Sequence, residues 1–348
     1  MTFSKPTTVP DPPAETTWWP GADAVLEAAT QSDGSPEPML RALAADIMDP
    51  PVPGTGQTRR LWEMLATVAA IDLVAARTLE PHLDAAAILR QADLPWQPGR
   101  TWGVYAAEGP NMKLEAKPAT RGFWTLHGVK PWCSLAERVS HALITAHTAQ
   151  GRRLFAVPMY GLGVSVLPSQ WVSRGMAQLP SGSVQFDGAC ATPVGETGWY
   201  LEREGFAVGG VGVAACWFGG AVGVLRHLID SARRREPDQL ALAWIGEADR
   251  LMCSAAELLG QAALRADEGS LDSLTAARVR GHVASVCQRV LQISAEATGP
   301  GPLATDEVHA RRVADLGIYL RQHHAARDDA ALGRMVLTER ATQGAFSW

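Results

Sequence analysis

Apolar residues recur at helical spacing along the first part of the chain. Ala22 to Thr30 forms one short candidate helix, and Met39 to Met48 a second after the loop Ser32–Pro38. Arg59 to Glu80 is longer, with Leu61, Leu65, Val68, Ile71 and Val74 on one face. Pro81 is expected to close it, since a proline has no N–H to give the helix, and Leu83 to Gln91 to follow. Beyond Pro95–Gly99 the helical period disappears. From Thr101 to about Val194, short apolar runs alternate with turn signals. Ala142–Thr148 and Leu154–Pro158 flank a turn and read as a hairpin; Gly163–Leu167 and Gly182–Phe186 read as further strands. Helical spacing returns at Gly205, in segments of about 205–235, 239–267, 271–297 and 306–344. Pro237 parts the first two. Asp272 and Ser273 are cap residues for the third, and Thr298–Pro302 breaks the chain before Thr305, a cap, and the first-turn acids Asp306 and Glu307. Long helices with short connections predict an antiparallel four-helix bundle.

This order predicts an α+β multidomain protein. An N-terminal helical domain (18–98) precedes a middle β-barrel-like domain (99–200) and a C-terminal four-helix bundle (201–348). Residues 1–17, rich in Pro and Thr, are expected to be a disordered tail. The chain has 348 residues, 47% of them apolar, enough for more than one core. A formal net charge of −5 gives no basic field for nucleic acid or an acidic membrane. The N-terminal stretch lacks the apolar core of a signal peptide. Gly205–Leu225 is apolar enough to count as a membrane span, but its small residues suit a helix buried in a bundle. A soluble, cytoplasmic protein is expected. Cys133, Cys190, Cys216, Cys253 and Cys287 are widely spaced and form no CxxC pair, which predicts buried free thiols and no metal centre.

Three strings, in this domain order, resemble the acyl-CoA dehydrogenase superfamily. Gly122–Ser134 resembles the segment that leads through G-x-K to a W-x-(S/T) tripeptide. Arg174–Asp187 is similar to the family's G-M…S-x-x-V-x-F-(D/E) stretch, and Arg311–Asp328 to its last helix and the catalytic region after it. The resemblance spans about residues 58–345. It implies the three-part dehydrogenase fold, FAD as cofactor and an acyl-CoA-like substrate. It leaves room for an electron-transfer partner, and it implies a homodimer or homotetramer packed through the bundle.

It also implies roles for particular residues. Trp132 and Ser134 match the tripeptide that lies against the flavin ring: an aromatic covers the apolar ring face and a hydroxyl steadies charge on the reduced ring. Tyr105, Ala107 and Glu108 fall where the family's T-E-P loop holds flavin and substrate phosphates, although the A-G-S-D part of that loop is missing. Ser181 and Ser183 either meet phosphates or form a turn. Arg235 is the nearest match to an arginine that reaches a flavin pyrophosphate, without the F-G that follows it in the family; a basic helix end has the same appearance. Gly299 and Gly301 stand where the family places a glycine turn over the flavin, and an ordinary interhelix turn explains them equally well. The family's catalytic glutamate comes eight residues after an R-D aspartate. Counting from Asp315 reaches His323, and His324 is expected to point the same way at one step of helix rotation. Leu316 and Leu320 precede His323 at helical spacing, which predicts an inward imidazole able to act as a base or proton donor, or else a satisfied core histidine. Three functions follow: an FAD-dependent acyl-CoA dehydrogenase-like enzyme, a flavin-dependent monooxygenase using His323 and Ser134, or a non-catalytic relative.

Overall fold

A computed structural model describes residues 18–45, 50–168, 171–234 and 236–343. The tail 1–17, the end of the 39–48 segment, Arg235 and the last residues of the 306–344 segment lie outside the described residues. The chain begins with α1 (Ala22–Ser32), α2 (Glu37–Ala44), α3 (Thr58–Ile71) and α4 (Leu73–Gln91). Seven strands follow: β1 (Trp102–Tyr105), β2 (Leu114–Pro118), β3 (Trp124–Ser134), β4 (His141–Thr148), β5 (Gly151–Pro158), β6 (Val164–Val166) and β7 (Ser181–Val194). The rest is helical: α5 (Trp199–Glu202), α6 (Gly205–Arg233), α7 (Gln239–Asp267), α8 (Ser273–Thr298), α9 (Pro300–Thr305), α10 (Glu307–Tyr319) and α11 (Ala326–Gln343). The chain divides into two compact units. A sheet unit takes in Trp19–Val52 and Val74–Phe206; a helical unit takes in Pro53–Leu73 and the chain from Ala207 onward.

In the sheet unit, β3 pairs antiparallel with β2 on one side and β7 on the other. β7 pairs with β5 and β6, and β5 forms the expected hairpin with β4. β4 takes β1, and then β2 at Glu115–His147, as parallel neighbours on its other edge. The hydrogen-bonded path β4–β2–β3–β7–β5 therefore returns to β4. Trp102, Leu143, Leu154 and Val194 from the strands bury against Ala85, Ile88 and Leu89 of α4. This packing explains a correction. Pro81 does not end its helix but lies inside α4. A proline there removes one hydrogen bond, and the buried face of Ala75, Ala76, Leu79, Leu83 and Ile88 outweighs that loss. β2 is a strand that the turn signals did not mark.

The predicted Arg59–Glu80 helix is interrupted at Asp72, whose backbone is extended (φ −150°, ψ 122°). Arg312 reaches the Ile71 carbonyl at this break, a contact no local pattern announces. In the helical unit Asp272 caps α8 as expected, whereas the cap expected at Thr305 falls one residue later, on Asp306. Asp272 accepts from the Thr275 amide at 2.6 Å and Asp306 from that of His309 at 3.0 Å; Asp238 caps α7 in the same way. Asp267, at the end of α7, supplies a cap from a distance. Its carboxylate accepts from the Gly56 amide at 2.9 Å and the Thr58 amide at 3.1 Å, fixing the start of α3. α7 packs on α8, and α8 packs on α10 and α11. The 306–344 segment is not one helix. It breaks after a turn at Leu320–Gln322, and Ala325 has φ 46°.

α6 is long and apolar enough to cross a membrane by length and composition, but 78% of its most apolar window is buried. Its glycines serve close packing. A Cβ on Gly219 would lie 2.1 Å from the Ala66 carbonyl oxygen of α3, and one on Gly223 3.0 Å from that of Ala70. The cysteines are unpaired as expected, but only Cys133, Cys216 and Cys287 are buried. Cys190 and Cys253 are exposed, because each falls on the outward face of its strand or helix.

Two predictions follow from this packing. Gly219→Ala should destabilise the protein by about 2 kcal/mol or more in urea unfolding, because neither backbone can yield without parting α3 from α6. Gly246→Ala, an open position on α7, should instead stabilise it by about 0.5–1 kcal/mol. The second concerns pH. His82 is buried edge-on to Trp96, and burial lowers its pKa from 6.5 to about 4. The unfolded chain then takes up a proton that the folded chain refuses. His82 leaves stability intact above pH 6.5 and erodes it as pH falls toward 4. Melting temperature should drop across that window, and His82→Leu should flatten the drop.

Candidate functional site

The site-bearing segment of the sheet unit is the end of β3. Lys130 pairs with Val184 and Cys133 with Gly182, so Pro131 and Trp132 together face Ser183 alone. This is a β-bulge, which bends a strand and re-aims a side chain. Pro131 has no N–H to lose from the ladder. Trp132 takes φ 59°, an outlier for so bulky a residue, and is 61% exposed between two buried neighbours. Strain of this kind costs on the order of 1–3 kcal/mol and gathers at functional positions.

Ser134, two residues on, is held from several sides. The Tyr105 hydroxyl donates to its carbonyl oxygen at 2.8 Å. Its own hydroxyl lies 2.7 Å from that of Ser181 and 3.5 Å from Nη2 of Arg77. Gly103 leaves room for the Tyr105 ring, since a Cβ there would lie 2.6 Å from the phenol oxygen. Tyr105 thus contributes a buried brace. Ala107 and Glu108 follow it in an exposed loop. That loop comes back against the bulge, where a Cβ on Gly109 would meet the Pro131 ring at 3.2 Å. The structure therefore brings Tyr105 to Ser134 and the loop's Gly109 to the bulge that carries Trp132, while Glu108 turns to Arg152 and His147.

Behind the bulge lies a charged network. Lys130 is 3% exposed and donates to the Thr145 carbonyl at 2.8 Å and its hydroxyl at 2.9 Å; burial lowers its pKa to about 8. Arg152 hydrogen-bonds the Ala106 carbonyl and lies 3.2 Å from Glu108, which also meets His147 at 2.8 Å. Partial burial opposes ionisation of Glu108, but Arg152 and His147 outweigh it and hold the carboxyl below its ordinary value. Burial drives the neighbouring Cys133 thiol up to about 12, which makes it inert.

The helical unit places His323 differently from the helical-spacing argument. Leu316 and Leu320 are buried as expected, but His323 lies past the helix end, in extended backbone (φ −88°, ψ 116°) between α10 and α11. Its imidazole is still largely covered and meets Trp217 at a centroid distance of 6.4 Å. Nδ1 is 3.1 Å from Asp328 Oδ2, though not aligned as a hydrogen bond. The expectation that His324 shares this direction is not met: its side chain is 62% exposed, 3.5 Å from the other Asp328 oxygen. A loop does not keep the rotation of a helix. Arg280 lies over the opposite partner, Trp217, at 4.9 Å. Gly299 (φ 63°) and Gly301 lie at the α8–α9 junction, with open space where a Cβ would stand. Arg235 lies outside the described residues.

Sequence reasoning missed three participants. Ser181 sits in a quoted string, but strand pairing turned it toward Ser134 instead of into a turn. Asp328 lies on the helix after His323, with nothing in the spacing to join them. Arg77 is 57 residues from Ser134 and carried no signal.

No protein-family model matches the chain, and no curated protein matches it. Solved structures do. Butyryl-CoA dehydrogenase from Megasphaera elsdenii superposes with a TM-score of 0.76 at 15% identity, over 97% of this chain and 100% of that one. FMN-bound TdsC from Paenibacillus sp. A11-2, a dibenzothiophene monooxygenase, gives 0.74 at 19% identity, over 92% and 98%. KijD3, in complex with FMN and a dTDP-linked amino-keto sugar, gives 0.73 at 18%, over 92% and 91%. The chain has the acyl-CoA dehydrogenase fold. Within that fold the bulged Trp132 and the braced Ser134 are the features that packing alone does not require.

The brace is open to test. Tyr105→Phe leaves the Ser134 carbonyl without its partner and should cost about 1–3 kcal/mol in denaturant unfolding. Tyr160→Phe removes a comparable hydroxyl from a ring that is 70% exposed, and should cost under about 0.5 kcal/mol.

Proposed function

We propose that this chain is a flavin-dependent monooxygenase acting on a small organic molecule, an enzyme of the cytoplasm that works as a homodimer or homotetramer. The observation that carries the reading is Trp132, strained and exposed, with Ser134 two residues beyond. An exposed indole suits the apolar face of an isoalloxazine ring, and a fixed hydroxyl suits its polar edge. The donor set therefore fits the ring half of a flavin. Gly299 and Gly301, with no side chain in the way, suit close approach of a phosphate, and Arg235 is proposed as its charged partner. TdsC and KijD3 carry FMN in their solved structures, so FMN stands beside FAD as the candidate.

A bound flavin would supply the two-electron chemistry and, once reduced, the reaction with oxygen. The residues of this chain position and move protons. Ser134 donates a hydrogen bond at the ring edge. His323 faces Asp328 through Nδ1 and would offer Nε2 for proton transfer to or from substrate. A histidine backed by a carboxylate suits proton transfer to an oxygenated species better than abstraction of a weakly acidic C–H. That difference favours oxygenation over α,β-dehydrogenation.

FAD-dependent dehydrogenation of an acyl thioester, with a separate electron-transfer partner, is the second reading. It is favoured by the likeness to butyryl-CoA dehydrogenase and by Asp328, a carboxylate beside His323.

One preparation tests both. The full-length protein is mixed with FMN or FAD and the unbound flavin removed. A retained flavin spectrum is expected; retention of neither sinks both readings. With retained flavin, anaerobic butyryl-CoA should leave the colour unchanged, whereas bleaching selects the dehydrogenase. Externally reduced flavin with oxygen and an aromatic heterocycle such as indole should give an oxygenated product. His323→Ala should lower that turnover by roughly 10²–10⁴-fold while flavin retention persists.

A further inference from the structure

We infer that Arg77 is a positioning residue that makes the Ser134 hydroxyl a hydrogen-bond donor to a bound flavin and sets the local charge felt by the ring. The inference rests on the flavin reading above and deepens it. Arg77 lies on α4, and its side chain is 13% exposed. A guanidinium has only donors, and a hydroxyl has one proton and two lone pairs. With Nη2 at 3.5 Å, Ser134 Oγ turns a lone pair toward Arg77. Ser181 Oγ approaches the same oxygen at 2.7 Å. Either hydroxyl can donate in this pair, and Ser181 also reaches the Leu179 carbonyl at a long 3.4 Å; when a ligand acceptor meets Ser134, Ser181 turns its proton to Ser134. Both lone pairs are then engaged. The proton of Ser134 is the one capacity left, and it is available to a ligand.

Arg77 does not stand alone. Glu80 Oε2 lies 3.4 Å from Nη1, and that side chain is 12% exposed. The two make a buried ion pair that touches the site through Ser134. Charge close to a flavin shifts its reduction equilibrium, because the reduced ring carries more negative charge. The members of the pair must therefore act in opposite directions. The cation favours the reduced ring and the carboxylate opposes it. A pair that served only to hold α4 in place would not show this opposition.

The experiment compares full-length wild type, Arg77→Gln, Arg77→Lys and Glu80→Gln, each loaded with FMN and with FAD. The midpoint potential of the bound flavin is read against a reference dye, with a melting curve as the check on folding. R77Q should lower the potential and E80Q should raise it, each by at least roughly tenfold in the reduction equilibrium constant. R77K keeps the charge and should stay near wild type. Unchanged potentials, or shifts of the same sign in R77Q and E80Q, overturn the inference while the flavin reading stands. If R77Q does not fold, the rise in E80Q decides, and its absence overturns the inference. If wild type retains neither flavin, the reading and the inference fall together.

Discussion

Opposite Ser183, β3 carries Pro131 and Trp132 where a regular ladder would carry one residue. The consequences of that extra residue run through the sheet unit. It sends Trp132 outward on a backbone that side chains avoid, and it returns Cys133 to the interior and Ser134 to the ladder. The strain persists because the strand is pinned on both sides. Before the bulge, Lys130 is anchored to Thr145; after it, Ser134 is held by Tyr105 and Ser181. The Lys130 pin is buried and the two at Ser134 are part-buried, and an unmet buried donor or acceptor costs about 1–3 kcal/mol. Relaxing the bulge would break several at once. Trp132 thus stays exposed because its surroundings over-determine it, which is the condition under which strain becomes useful.

The helical unit depends on a different device, chain ends closed by distant groups. Asp267 caps α3 from the far end of α7, and Arg312 meets the carbonyl at the α3–α4 break. These contacts fix where helices stop, and the stopping points matter. Because α10 ends at Tyr319, His323 lies in a loop whose backbone can present an imidazole toward Trp217 and still leave Asp328 beside it. An unbroken helix would have spent those residues on its own turns.

Much of the fold was legible in the chain. Period alone located the long helices, and Asp272 announced its cap because capping is local, while the cap expected at Thr305 moved to Asp306. Pro81 misled for the same reason: a local rule was overruled by the buried face of α4. The break at Asp72 was invisible, and the group that meets the carbonyl there, Arg312, is far away in sequence. The site divided along the same line. Trp132 and Ser134 were legible as a tripeptide with a known chemistry. Ser181, Tyr105 and Arg77, which give Ser134 its geometry, were not legible in those roles, because strand pairing and helix packing supply them. Counting reached His323 as the candidate, but its loop setting was not legible, and Asp328 stood in the sequence only as the nearest acid, more than a helical turn on.

This division bears on how one fold holds unlike reactions. The platform at the end of β3 is built from non-local strand pairing, so changing it means disturbing a bulge, two neighbouring strands and a buried network. The residue between α10 and α11 is set by a short loop, where a carboxylate can give way to an imidazole at little cost to packing. Evolution of a new chemistry would therefore leave the platform and alter the loop. The sequence has that form: a W-x-S tripeptide retained, and a histidine at the place where dehydrogenases of this fold carry their acid. In the proposed reading, the proton-handling residue, more than the ring contacts, is where the chemistry departs from that of a dehydrogenase.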